Sequence, residues 1–285
     1  MASIFQNTLA SLTLVLASSL AVAATPLVIF PKAENNLAYT EVAQLPFAQA
    51  DAKITYGSEP LQYALLWKAK GAMQVANRPL IVLIHGGCWL SAYNIEHTYA
   101  MSTGLAQAGF NVWSLEYRRT GDLGGGWPST YDDIKAGILA SAQYKDGEFD
   151  LANTVLVGHS AGGHLAMLAG GVMEELKGVI GLAAITDIEE YAYGSNSCQK
   201  VTKDFMQGMP KDKPHQYTLA NPSKQPLHIN SYILQGTKDD IVPAFNLKKL
   251  NRTVIMLDGV GHFDWIHPGS KAFKTLTFYL GELSK

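Results

Sequence analysis

Four short apolar runs constrain this chain more than any other feature. They are LIVLI within 79–87, TVLVG at 154–158, GVIGLAAI at 178–185 and YILQG within 229–236. None alternates apolar with polar residues, as a strand with one wet face would. Runs of this kind suit strands buried on both faces. Weaker strand patterns stand at 61–68, 111–119 and 253–259. Helical patterns fall between them. The pattern at 131–145 has Thr130 as N-cap and Asp133 three residues on, with Tyr131, Ile134, Ile138 and Leu139 on one face. Further helices are expected at about 160–170, 243–250 and 269–283, the last with Phe273, Leu276, Leu280 and Leu283 at helical spacing. This alternation predicts an α/β fold, with a mostly parallel central sheet and helices on both faces.

The rhythm breaks at 188–226, which is rich in Tyr, Ser, Asn, Lys and Pro. That stretch reads as a lid-like excursion over one end of the sheet. Residues 24–60 show few clear periods. With 285 residues, 47% hydrophobic and 16% charged, the chain has material for one large domain over 24–285. The net charge is −2 and no basic run is present, which argues against a nucleic-acid partner or a polybasic membrane anchor. Residues 1–23 carry no charge and end in Ala21, Val22 and Ala23 after an apolar run. They read as a signal peptide cleaved after Ala23. The mature chain is then exported, periplasmic or secreted, and has no stable membrane insertion. Export would permit a disulfide between Cys88 and Cys198, and two buried free thiols are an equal alternative. No Cys/His cluster has zinc spacing, so no metal is expected.

The run at 154–158 leads straight into GHSAGGHLA. A G-x-S-x-G pattern alone is weak. Here it follows a buried strand and opens a helix, where a sharp turn holds the serine in a strained conformation. Gly158 and Gly162 then sit where side chains would collide. Ser160 becomes a candidate nucleophile, with developing negative charge favoured at the helix N-terminus.

A nucleophilic serine needs a base and the base an orienting acid, in the chain order Ser, acid, His for a sheet of this type. His262 lies in the loop GVGHFDW after the last strand, with His267 as rival. His164 belongs to the nucleophile helix, His215 to the excursion, and His228 precedes the acid. Asp239 in GTKDDIVP is the acid of choice, with Asp240 a close alternative and Asp187 a third that suits a turn cap. Asp264 reads as a loop-shaping residue. The oxyanion needs two backbone donors. One is the N–H of Ala161; the other comes from Gly87 or Cys88 in HGGCW, whose His85 reads as structural.

LIHGGCW, LEYRR, GHSAGGHLA, GTKDDIVP and GHFDW, in this order, resemble the alpha/beta-hydrolase superfamily. The resemblance spans about residues 60–285. It is nearest the branch of kynurenine formamidase-like esterases and prolyl-oligopeptidase-type catalytic domains. It implies Ser160, Asp239 and His262 as catalytic residues and no metal or organic cofactor. HGGCW is similar to the HGG-aromatic-Trp loop of the formamidases, with Cys88 in place of the aromatic residue. That departure and export point away from kynurenine chemistry. The expected reaction is hydrolysis of a small-molecule ester or amide through an acyl-enzyme. Trp89, Trp127 and the excursion would shape the substrate site. An exported peptidase of prolyl-oligopeptidase type and a non-catalytic binding domain on the same fold are the competing readings.

Overall fold

A computed structural model describes residues 27–70, 78–147, 149–247 and 250–285. The leader read at 1–23 lies outside the described residues. In chain order the elements are α1 (Tyr39–Ala43), β1 (Ala52–Thr55), β2 (Tyr63–Trp67), β3 (Leu80–Ile84), α2 (Tyr99–Gln107), β4 (Val112–Leu115), α3 (Ser129–Ala142), β5 (Thr154–His159) and α4 (Ala161–Val172). Then follow β6 (Gly178–Leu182), α5 (Ile188–Tyr191), α6 (Ser197–Phe205), α7 (Pro214–Leu219), β7 (Ser231–Gly236), β8 (Thr253–Leu257) and α8 (Lys271–Leu283).

The strands form one eight-stranded sheet in the order β1-β2-β4-β3-β5-β6-β7-β8. β2 runs antiparallel to β1 and β4, and every other pair is parallel. The apolar runs are explained by two-sided burial. Leu80, Val82 and Ile84 of β3 enter one core with Ile134, Ile138 and Leu165. Ile81 and Leu83 enter the other with Met101, Leu105 and Leu276. Full burial of such a side chain contributes about 1.5–3 kcal/mol, so neither face can be given up cheaply. α8 is held the same way: Ser270 caps it by accepting from the Phe273 N–H, and Phe273, Leu276 and Leu280 are buried.

The chain passes from β3 outward to β4, then back across to β5, so winding reverses between β3 and β5. Crevices at such switch points open at the carboxyl ends of the strands. The register sets the rest. Ile84 pairs with Gly158, so the loops leaving β3 and β5 emerge side by side. Gly236 pairs with Leu257, so the loops leaving β7 and β8 do too.

Some expectations need correction. Thr130 lies inside α3 and does not cap it: its Oγ1 accepts from the Gly126 N–H and donates to the Arg118 carbonyl. Asp133 is buried and takes both a backbone and a guanidinium bond from Arg118. Leu139 is exposed, away from the face that buries Ile134 and Ile138. The helix expected at 243–250 is a single 3-10 turn, Ala244–Leu247. α1, β1 and α2 lie where no element was expected. α2 escapes an amphipathic reading because seven of its nine residues, Ala100 to Ala106, are buried, Ser102 and Thr103 included.

Candidate active site

Ser160 stands between β5 and α4 with φ 57° and ψ −119°. This left-handed strain in a non-glycine residue persists only where the surroundings enforce it. The enforcement is steric. A Cβ on Gly158 would lie 2.2 Å from the Gly162 carbonyl oxygen, and one on Gly162 would lie 2.2 Å from that of Ile84. The turn is therefore closed to side chains at both flanking positions, and Ser160 is driven to the lip of the strand. The first N–H groups of a helix have no intrahelical acceptor, so that of Ala161 is available beside Ser160.

The loop after β3 faces this turn. A Cβ on Gly86 would lie 2.8 Å from the His159 carbonyl and 3.0 Å from Ser160 Cβ. Gly87, Cys88 and Trp89 follow with φ of 108°, 53° and 57°. His85 anchors the loop from below: its Nε2 meets Glu116 Oε1 at 3.0 Å, and its ring stacks on Tyr117 at 4.3 Å. Burial would raise the Glu116 pKa, but His85 and Arg119 beside it carry the net shift downward, so the carboxylate stays charged. LEYRR thus braces HGGCW.

The candidate acid and base come from the other pair of loops. His262 Nδ1 donates to Asp239 Oδ2 at 2.8 Å, and both residues are buried. Asp239 Oδ1 accepts from the N–H groups of Ile241 and Val242, and Oδ2 also accepts from Gln235 Nε2. A carboxylate with four donors is fixed in place. The Lys238 N–H donates to the Val260 carbonyl, tying the two loops together. Asp264 shapes the His262 loop by accepting from the N–H groups of Asn36, Leu37 and Gly261. His159 holds it from the sheet side, donating from Nε2 to the His262 carbonyl at 2.9 Å. Burial, then the neighbouring His262, keeps the His159 pKa well below the ordinary imidazole range, so it acts as a neutral donor.

Ser160, His262, Gly87 and Cys88 line one cleft of about 580 Å³, counted to its open mouth. Tyr39, Tyr93, His97 and Phe263 form one wall; Ser197, Cys198 and Ile241 form the other. Cys88 and Cys198 are joined in a disulfide, with Cα atoms 5.2 Å apart. Of the two alternatives for the cysteines, the bridge is present.

Other candidates fall elsewhere. Asp240 is exposed, and its carbonyl accepts from Asn196 Nδ2. Asp187 caps α5. His267 Nδ1 accepts from the Gly269 N–H, and His267 does not line the cleft. His164 Nε2 donates to the Ala220 carbonyl at 2.7 Å. The two tryptophans expected against substrate do not line the cleft. Trp89 is fully buried, stacked on Phe205 at 4.7 Å. Trp127 is buried against Tyr131, with Nε1 bonded to Gln216. Both serve packing, and the left-handed turn at 88–89 sends the indole of Trp89 down into the core. Tyr39, Tyr93, His97, Phe263, Ser197 and Ile241 replace them as wall residues. Phe263 and Ile241 lie inside the motifs GHFDW and GTKDDIVP, as His159 does inside GHSAGG, but no local pattern marks Tyr39, Tyr93, His97 or Ser197.

The BD-FAE family model matches residues 69–254. The chain belongs to the BD-FAE family. Esterase LipC of Mycobacterium tuberculosis is 31% identical over 119 residues, 41% of this chain and 29% of LipC. The kynurenine formamidase of Meyerozyma guilliermondii is 26% identical over 175 residues, 55% of this chain and 64% of that protein. The matched region thus spans less than two thirds of either curated relative. A truncated carbohydrate esterase from gut microbiota superposes with TM-score 0.66 at 21% identity, covering 84% of this chain and 97% of its own. Esterase B of Lactobacillus rhamnosis gives 0.68 at 17% identity, covering 84% and 88%. These likenesses establish the alpha/beta-hydrolase fold.

Proposed function

We propose that this BD-FAE family member is a serine hydrolase that cleaves a small ester or amide through an acyl-enzyme. The observation that carries the reading is the buried Asp239–His262 pair, whose His262 lines one cleft with the strained Ser160. Ser160 Oγ attacks the substrate carbonyl carbon as His262 Nε2 takes its proton. Asp239 holds Nδ1 protonated, which leaves Nε2 as the acceptor. In the free chain Ser160 Oγ makes no hydrogen bond among the described residues; such contacts often tighten only with substrate bound. The N–H groups of Ala161 and of Gly87 or Cys88 receive the oxyanion, each worth about 10²–10³ in rate. Protonated His262 then gives its proton to the leaving oxygen or nitrogen as the scissile bond breaks. Water, deprotonated by His262, releases the acid.

The size and lining of the cleft support a small, uncharged acyl group. Among the described residues no Lys, Arg, Asp or Glu lines it, which favours an uncharged substrate over one held by a peptide terminus. Export is proposed on the same footing, since disulfides such as Cys88–Cys198 persist in oxidising compartments. N-terminal sequencing of the mature chain, expected to begin at Ala24, tests it.

A fluorophosphonate probe should label the wild type and leave Ser160→Ala unlabelled. An unlabelled wild type overturns the mechanism. Turnover of p-nitrophenyl esters, N-formyl anilides and aminoacyl anilides then ranks ester, formamidase and peptidase activity.

A further inference from the structure

Three consecutive residues in the donor loop, Gly87, Cys88 and Trp89, hold left-handed φ values, and two of them carry side chains. Single non-glycine residues in this region cost energy, and a run of them relaxes unless gripped from outside. The grip comes from one nine-residue helix, α6. Its second residue, Cys198, is bonded covalently to Cys88. Its last residue, Phe205, stacks on Trp89 with an interplanar angle of 7°. The loop is pinned on its far side by backbone bonds from Thr120 to Trp89 and from Ser91 to Thr120.

The same helix reaches the acid loop. Asn196 caps α6 by accepting from the Gln199 N–H. Its side-chain amide donates to the carbonyls of Asp240 and Ile241, at 3.1 and 3.0 Å. Those residues follow Asp239, and the N–H of Ile241 is one of the donors that fix its carboxylate. One helix therefore touches the oxyanion donors at one place and the acid of the acid–base pair at another, though the two loops leave strands that are not adjacent in the sheet.

We propose that α6 is a clamp, in which the Cys88–Cys198 disulfide positions the Gly87 and Cys88 donors and Asn196 registers them against Asp239. The cysteines and Asn196 are positioning residues: they act on the backbone that meets the substrate. The proposal rests on the hydrolase reading for its catalytic consequence, but not for its structural one. A disulfide that merely stabilised the fold would restrict the unfolded chain and leave the native loop as it is. A clamp changes the native loop.

The test compares three states of the full chain: untreated wild type, wild type reduced under native conditions with a water-soluble phosphine, and Cys88→Ser/Cys198→Ser. The phosphine is oxidised as the S–S bond becomes two thiols, so no substitution is needed and failure to fold cannot obscure the result. Two readouts are taken below the melting temperature of all three. With a short p-nitrophenyl ester, kcat should fall about 10–100-fold when the bridge is lost, part of what a whole oxyanion donor supplies, while KM changes less than about threefold. In native-state amide exchange, Leu90, Ser91 and Thr120 should exchange faster without the bridge, while β3 and β5 keep their protection. Asn196→Ala, with the bridge intact, should speed exchange at Ile241 and Val242 and lower kcat less.

A lowered melting temperature with unchanged kcat and unchanged exchange would show a plain structural disulfide and overturn the clamp. Faster exchange with unchanged kcat would overturn its positioning role. If untreated wild type neither turns over ester nor takes a fluorophosphonate label, the hydrolase reading fails instead, and the exchange arm still decides whether α6 grips the loop.

Discussion

The floor and the roof of the cleft are built on different principles. The floor is made of strand ends. Ser160, the Gly87 loop, Asp239 and His262 each follow directly on a parallel strand, and the register of β3 with β5 and β7 with β8 brings them together. The roof is made of segments remote from the sheet order: Tyr39 from a strap made of residues 36–38 and α1, Tyr93 and His97 from the loop before α2, and Ser197 and Cys198 from α6. These are held by individual bonds, such as Asp264 to Asn36 and Asn196 to Ile241, and His164 of α4 ties down the end of α7 behind them at Ala220. The floor determines what chemistry can occur, and the roof determines what can reach it. Substitutions in the floor should therefore strike kcat, and those in the roof KM.

The largest effect is expected at the acid. Asp239→Asn keeps size and most contacts but can present an N–H to His262 Nδ1, favouring the tautomer that cannot accept the Ser160 proton. A loss of about 10⁴ in kcat is expected, with KM little changed. Steady-state kinetics on a p-nitrophenyl ester measures it. A loss under about tenfold would return the role of acid to Asp240 or Asp187 and break the floor as drawn.

The same division explains what the sequence disclosed. A strand buried on both faces prints a continuous apolar run, and the residue beyond its end has a fixed address. Ser160, with Gly158 and Gly162 whose missing Cβ atoms the turn requires, could thus be read from the pattern, while Asp239 and His262 stood at strand ends with Asp240, Asp187 and His267 still open beside them. Wall residues have no such address. Tyr39 comes to the cleft because Asp264 holds the strap through the backbone N–H groups of Asn36 and Leu37; only Asn36, at φ 64°, carries a residue preference there, and it marks a turn and not a cleft wall. Trp89 and Trp127 are buried for separate reasons: positive φ at 88–89 turns the Trp89 indole inward, and Trp127 stacks on Tyr131 with its N–H given to Gln216. α2 was hidden because buried Ser102 and Thr103 break its apolar stripe.

A second floor variant tests the donors rather than the acid. In Gly86→Ala the new Cβ would meet the His159 backbone carbonyl at 2.8 Å, and neither backbone segment can swing aside as a side chain could. The 87–88 N–H groups should move off the oxyanion position, lowering kcat by about 10²–10³. Asp239 and His262 stay in place, so fluorophosphonate labelling should slow rather than vanish. Unchanged kcat would place the oxyanion elsewhere.

Acid should loosen the joint between floor and roof. Burial pulls the pKa of His164 down to about 4 and that of His97 to about 3, with His85 adding to the effect at His97. Above pH ~6.5 these imidazoles are neutral in both folded and unfolded chains and contribute no pH dependence. Below it the unfolded chain binds protons that the folded chain refuses, so stability falls as pH falls. The slope should approach about 1.4 kcal/mol per pH unit for each such histidine, between pH ~6.5 and their folded values. Urea midpoints at pH 7 and pH 5 measure it. His164→Gln, which can still donate to the Ala220 carbonyl, should flatten part of the slope, and an unaltered slope would remove His164 from the joint.

The smallest effect is expected in the roof itself. The Tyr39 ring meets Tyr93 at 5.5 Å and Phe263 at 5.6 Å, both edge to face. Each such pair is worth about 0.5–1.5 kcal/mol beyond the area it buries. Tyr39→Ala therefore removes a wall and loosens its neighbours without touching the strand ends. KM should rise about 2–10-fold, the range that one pair energy implies, with kcat within about twofold of wild type. A kcat loss rivalling that of Asp239→Asn would mean that the strap holds His262 through Phe263 as firmly as β8 does. Floor and roof would then be one catalytic unit, and the division between them would lie in the sequence pattern alone.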